Sequence, residues 1–257
     1  MKNKLLLILG GFLLIAIIVF LDILAQQFLL KNNTLSVSVI SVNEKTDLYS
    51  INVEYPQFNG ISPEFNQKIS SLMEEKIVSF KKDSADNWAA RKATATPEFP
   101  VPDKPEQLFT FQASWSPAQI NNKYISFVIN TGFFSGGAHG DEVIYTFNYD
   151  VVKKEEISAE KLLGSQENLQ KISDMAKVYI ILQEQSQGAE MNEVLTQMVN
   201  DGTAPKYSNY QYFTFDSSHI VFYFQKYQVA PGASGSFIFP VYKSILEQGG
   251  INIEYLK

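Results

Sequence analysis

The chain has 257 residues, 45% hydrophobic and 19% charged, with a net charge of −6, proportions ordinary for a globular protein. It contains no cysteine, which excludes disulfides, thiolate catalysis, cysteine-based zinc or iron–sulfur centres and a lipid-modified cysteine anchor. Residues 1–30 hold only Lys2, Lys4 and Asp22, so the remainder carries −7; this disfavours nucleic acid and favours a basic partner.

Residues 5–21 read LLLILGGFLLIAIIVFL, an uncharged apolar run behind Lys2 and Lys4, continued in diluted form past Asp22. A helix over residues 5–25 spans roughly 30 Å at about 1.5 Å per residue, the thickness of a bilayer's hydrocarbon core. The flanking lysines predict a cytoplasmic N-terminus and an extracytoplasmic bulk. A cleaved signal peptide is the alternative, but its apolar region is ordinarily shorter and ends in a small-x-small site, which is not evident here. The expectation is therefore a single-pass signal anchor over residues 1–30, in the cell membrane.

After the polar tether KNNT (31–34), LSVSVISV alternates apolar and polar residues and LYSINVEYPQF resumes the pattern beyond EKTD, which predicts a hairpin. Ser62, Pro63 and Glu64 form a helix-start signal. Phe65, Ile69, Leu72, Met73, Ile77 and Phe80 then recur at helical spacing, and the helix can continue through DSADNWAARKA. ATPEFPVPDKPE, with four prolines, is an extended connection. LFTFQASWSP, KYISFVINTGFF and EVIYTFNYD are aromatic and β-branched runs that predict three consecutive antiparallel strands. ISAEKLLG reads as a short helix ended by Gly164. NLQKISDMAKVYIILQEQ is a helix with Leu169, Ile172, Ala176, Tyr179 and Ile180 on one face, and MNEVLTQMVN is a shorter one. YQYFTFD and HIVFYFQKYQV read as strands separated by a turn at Ser217 and Ser218. FIFPVYKSILEQ begins extended and ends helical, and INIEYL adds a final strand. The order predicts an α+β fold: an N-terminal transmembrane helix, then antiparallel sheets with packed helices.

The stretch TGFFSGGAHG (131–140) raises the question of chemistry, because it combines glycines with one of only two histidines. Ser135 and His139 are close, but GFFSG is not a G-x-S-x-G elbow and no strand-to-helix turn follows. His139, Asp141 and His219 could form a metal set only if the fold gathered them, and neither H-x-x-x-H nor H-E-x-x-H occurs. GGAHG lacks the spacing and following helix of a phosphate loop. Adjacent carboxylates such as Asp141 and Glu142 read as solvated surface, since glycosidases draw theirs from separate elements. The expectation is a strand-to-strand turn in which Gly136, Gly137 and Gly140 supply positive φ angles, with no metal and no cofactor.

TGFFSGGAHGDEVIYTFNYD followed by ISAEKLLG, and later HIVFYFQKYQVAPGASGSFIFPVYKSIL, resemble an exported bacterial two-part module of originally unknown function. The YPQFNGI…FNQKI opening is similar to its first half. The module occurs in the extracytoplasmic part of the lysozyme-sensing anti-sigma factor RsiV and in the non-catalytic N-terminal part of the peptidoglycan deacetylase PdaC. The resemblance covers about residues 35–250 and implies two intertwined subdomains, 35–155 and 156–257, the second corresponding to the RsiV C-terminal half. Only Met1 to Lys4 precede the apolar run and the chain stops at Lys257, so the module and its anchor are expected without a sigma-binding or catalytic domain. Relatives often carry an aromatic where this sequence has Gly232.

The resemblance implies a non-catalytic binding module for a cell-wall-associated ligand: a peptidoglycan fragment or a lysozyme-like protein. Loops 135–140 and 227–235 are the expected contact surfaces, with His139, Tyr227, Pro231 and Ser234 as binding residues, because groups that bind collect on loops held by strands. The alternatives are a wall-polysaccharide hydrolase or deacetylase using His139 with Asp141, and a structural subunit of an envelope complex.

Overall fold

The computed structural model describes residues 35–137 and 139–256. The predicted membrane anchor and tether lie outside the described residues, among which no helix is long and apolar enough to cross a membrane. The chain forms an α+β protein with a six-stranded mixed sheet, a three-stranded sheet and packed helices.

The hairpin β1 (Ser36–Lys45) and β2 (Tyr49–Asn59) forms as predicted, in continuous register from Ser36 against Asn59 to Lys45 against Ser50. Helix α1 (Pro63–Ala93) follows and runs through the second stretch, burying Phe65, Ile69, Met73, Phe80, Ser84 and Trp88. Ser62 is extended but makes no side-chain cap; its hydroxyl turns to the Glu64 carboxylate instead.

Strands β3 (Phe109–Ile120), β4 (Tyr124–Phe134) and β5 (Asp141–Asp150) are the antiparallel meander read from the sequence, extended by the two-residue β6 (Glu155–Glu156). One expectation is corrected here: β2 and β3 pair in parallel, Tyr49 opposite Phe109 through Val53 opposite Ala113. The cause is α1. It returns the chain along one sheet face, so β3 starts at the same end as β2, as a crossover connection requires.

The second unit opens with α2 (Ala159–Leu163), capped by the Ser158 hydroxyl and ended by Gly164 at φ 72°. Helices α3 (Gln166–Ser186) and α4 (Glu193–Gly202) follow. A sheet of β7 (Phe213–Phe215), β8 (His219–Phe224) and β9 (Phe237–Tyr242) leads into α5 (Lys243–Gln248). Two further readings are corrected. Strand β8 ends at Phe224, so QKYQV is a turn, and INIEYL ends in a 3-10 turn over Glu254–Leu256.

Two apolar cores result. One joins α1 to the inner face of the large sheet through Phe58, Phe65, Phe127 and Phe147; the other gathers Tyr210, Phe213, Phe222 and Phe224 with α3. Each sheet comes from one continuous stretch of chain, so the subdomains are sequential, not intertwined. They meet through a buried polar seam. The Ser126 hydroxyl donates to Asn148 Oδ1 at 2.7 Å, Asn148 Nδ2 donates to the Phe213 carbonyl at 2.7 Å, and the Phe215 N–H donates to Ser126 Oγ at 2.9 Å.

Candidate functional site

The β4–β5 turn is held by its glycine and its neighbours. Gly136 has φ 95°, and a Cβ there would lie 2.7 Å from the Phe109 ring. Asn87 of α1 donates to the Ser135 carbonyl at 3.1 Å, tying the turn to the helix. Gly140 is closely packed, since a Cβ would lie 3.0 Å from the Phe133 carbonyl oxygen. The expectation of positive φ at all three glycines holds for Gly136 alone: Gly137 and Gly140 are not left-handed, and nothing crowds Gly137.

The turn meets the second unit at residues 225–236. Gln225, directly after β8, imitates a strand partner for β5: its Nε2 donates to the Ile144 carbonyl at 2.6 Å and its Oε1 accepts the Ile144 N–H at 3.1 Å. Lys226 Nζ lies 3.0 Å from Asp141 Oδ1, with the lysine side chain 14% exposed and the aspartate 41%. Gln228 donates to the Gly202 and Asn209 carbonyls at 3.2 and 2.9 Å. Ser236 Oγ donates to Glu142 Oε1 at 3.0 Å. These four residues were not singled out from the sequence. The available signal was the polar run QKYQ breaking an apolar alternation, which reads as a strand until the docking partner is known.

Partial burial works against the charge on Asp141, but the Lys226 ammonium and the Glu142 N–H outweigh it and hold the carboxyl below the usual aspartate range. The same hydrogen bond holds Lys226 above the usual lysine range. Asp141 therefore contributes stability above the ordinary carboxylate range and loses it as pH falls through its lowered value. Lys226 contributes below the ordinary lysine range and loses it as pH rises through its raised value. The tie is complete across neutral pH. Lys226→Met is expected to flatten the acid limb of the stability profile and to lower the urea midpoint only slightly at neutral pH, because an ion pair whose carboxylate stays in contact with water contributes little. Urea unfolding of both proteins from acid to neutral pH checks this.

Between these elements lies a cleft of about 440 Å³, lined by Gln112, Gly132, Asp141, Glu142, Lys226 and, from the second loop, Gly232, Ala233 and Gly235. A second hollow of about 440 Å³ on the sheet face adjoins it, sharing Gln112, Gly132 and Glu142. The two predicted contact loops thus flank one concavity. The four predicted binding residues do not line it. His139 is exposed, with Nδ1 3.0 Å from the Gly140 carbonyl oxygen, the geometry of an Nδ1–H donor. Tyr227, 59% exposed, adopts φ 68°. Pro231 is exposed, and Ser234 is half-buried in the 3-10 turn over Gly232–Ser234. Tyr227 accounts for Gly232: a Cβ there would lie 2.2 Å from the Tyr227 ring, which takes the room an aromatic at 232 would need.

The other proposed constellations are not assembled. His219 starts β8 and binds Asp216 Oδ1 at 2.9 Å, a full strand away from Lys226 and Asp141. Among the described residues no group of three or more histidine, aspartate or glutamate side chains is placed to hold a metal ion.

Comparison with known proteins finds a match for each half. A family model described as Deacetylase PdaC matches residues 42–142, and one described as Protein of unknown function (DUF3298) matches residues 156–244. The peptidoglycan-N-acetylmuramic acid deacetylase PdaC of Bacillus subtilis is 34% identical over 124 residues, covering 48% of this chain and 25% of that protein. The chain thus matches about a quarter of that relative's length. Two crystal structures share the fold. A DUF3298 family member from Bacteroides fragilis superposes with a TM-score of 0.55 at 15% identity, covering 84% of this chain and 93% of that one. One from Pseudomonas aeruginosa gives 0.52 at 14% identity, covering 88% and 97%. These matches, in this order along the chain, are the two-part arrangement the sequence resemblance implied.

Proposed function

We propose, from the premise of this PdaC/DUF3298 likeness, that the protein is a non-catalytic binding module of the bacterial cell envelope whose ligand is a peptidoglycan fragment. Residues 5–25 anchor it in the cell membrane and the module faces the wall. The observation that carries this reading is the open polar cleft at the Lys226–Asp141 junction, whose walls come from both halves of the module. A concave surface of this kind suits a chain-like ligand, and polar groups on its walls supply orientation. The relative from Bacillus subtilis acts, by its name, on peptidoglycan. His139 stands outside the cleft and Asp141 is already bound by Lys226, so the arrangement favours binding over hydrolysis or deacetylation.

Titration of the full chain in detergent micelles with soluble peptidoglycan fragments is expected to show saturable binding. Tyr227→Gly, which relieves the left-handed backbone and removes the exposed ring beside the cleft, is expected to keep the fold and weaken that binding severalfold. Absence of binding to any peptidoglycan fragment overturns the proposal. A second reading, a basic lysozyme-like protein as the ligand, is favoured by the charge of −7 beyond residue 30. Saturable, steeply salt-dependent binding of a basic lysozyme, with none to glycan or muropeptide, would replace the first reading with this one.

A further inference from the structure

Gly132 lies inside β4, opposite Gln112 on β3 and Glu142 on β5. Its backbone is not left-handed, and a Cβ at this position would meet nothing within 4 Å. An interior glycine weakens a strand. Here neither backbone conformation nor packing requires one, and such glycines mark places where a ligand or another chain comes close.

The residues around it form a row across five strands. Asn43 pairs with Asn52, Asn52 with Gln112, Gln112 with Gly132, and Gly132 with Glu142. Neighbouring strands are about 4.8 Å apart, so the row extends roughly 19 Å. It lies on the face opposite α1, since the alternating partners Ile51, Phe111 and Phe133 belong to the α1 core. The four side chains of the row are exposed, and Gly132 lines both adjoining hollows. Asparagine is disfavoured in strands, so Asn43, Asn52 and the nearby Asn130 run against local propensity.

Amide side chains offer donors and an acceptor at one position. That matches sugar hydroxyl and acetamido groups, which also donate and accept. The charge on this face is acidic. Glu54 and Glu142 take hydrogen bonds from Ser41 and Ser236, and the neighbouring ammonium of Lys226 is engaged by Asp141. Uncharged or ammonium-bearing sugars suit such a surface, and carboxylate-bearing sugars are repelled.

We propose that this sheet face is a groove for an extended amino-sugar glycan lying across the strands over Gly132. The strand spacing is close to the length of one pyranose ring in an extended 1,4-linked chain, so each strand meets about one sugar. The inference rests on the peptidoglycan reading and narrows it to the glycan backbone, as distinct from the stem peptide.

The test titrates the full chain with three tetrasaccharides: an N-acetylglucosamine oligomer, a glucosamine oligomer and a uronic-acid oligomer. At least one of the two amino-sugar oligomers binds and the uronate does not. Gly132→Val adds volume over the open position and suits a strand. It is expected to weaken amino-sugar binding at least tenfold (an order-of-magnitude expectation from filling the groove) without lowering the melting temperature. Gln112→Ala removes an exposed amide without adding volume and is expected to weaken binding severalfold, which keeps the test available if the valine variant fails to fold. Binding of the uronate as tight as that of the amino sugars, or variants that fold and bind like wild type, overturns the groove. If peptidoglycan fragments bind but glycan oligomers do not, the groove falls and the module reading stands; if neither binds, both fall.

Discussion

Phe127→Ala is expected to destabilise the protein by about 3–5 kcal/mol, the range for removing a fully buried phenylalanine ring. Phe127 has no exposed surface, and its ring joins four elements. It stacks on Phe147 of β5 at 5.0 Å, tilts against Phe58 of β2 at 5.5 Å, and meets Trp115 of β3 and Phe65 of α1 edge-on at 6.0 and 6.5 Å. Alanine would leave a cavity bounded by strands on either side and a long helix above, none of which can collapse without disturbing the others. Equilibrium denaturation measures the loss. Phe127→Leu, which retains much of the volume, should cost distinctly less. Equal losses for both variants would show that the ring's shape, not the filled volume, is what the core requires.

Asn148→Ala is expected to cost about 2–4 kcal/mol, because it strands buried polar groups on both sides of the seam between the units. The side chain accepts from Ser126 and donates to the Phe213 carbonyl, while Ser126 in turn accepts the Phe215 N–H. Ser126 is fully buried and Asn148 is 6% exposed, so water cannot readily replace the lost bonds. The distinctive signature is non-additivity. Ser126→Ala combined with Asn148→Ala should cost clearly less than the two single losses together, since the residues act in one network. Hydrogen exchange at the Phe215 amide should accelerate in each variant. Additive losses would show that the two side chains act independently and not as one network.

Most elements were legible because each rests on local pattern. The α1 face, the meander of β3 to β5 and the Gly164 helix stop follow from apolar periodicity and one special residue each. The errors share a cause. QKYQV looks like a continuing strand because Tyr227, Gln228 and Val229 resume the alternation after the polar pair Gln225 and Lys226, but Gln225 leaves the β8 ladder to pair with Ile144 of β5. INIEYL alternates as well, yet Ile251, Ile253, Tyr255 and Leu256 are buried against the second core without a strand partner. Alternation records which side chains are buried, not which backbone receives the hydrogen bonds.

The candidate site was legible as two loops and not as a surface. His139, Tyr227, Pro231 and Ser234 attract attention as unusual residues in glycine-rich turns, and none lines the cleft. The residues that do line it, such as Gln112 and Glu142, are ordinary in their own segments and acquire meaning only through cross-strand register.

By itself, the sequence determined the α+β class, the order of the elements and the acidic balance, because composition and periodicity act within a single segment, and its motifs carried the resemblance to a two-part module. Tertiary structure alone decided the parallel pairing of β2 with β3, the Asn148 seam, and the row that sets Asn52, Gln112, Gly132 and Glu142 side by side. Those features depend on residues 10 to 60 or more positions apart, and only the folded path of the backbone brings them within hydrogen-bonding distance.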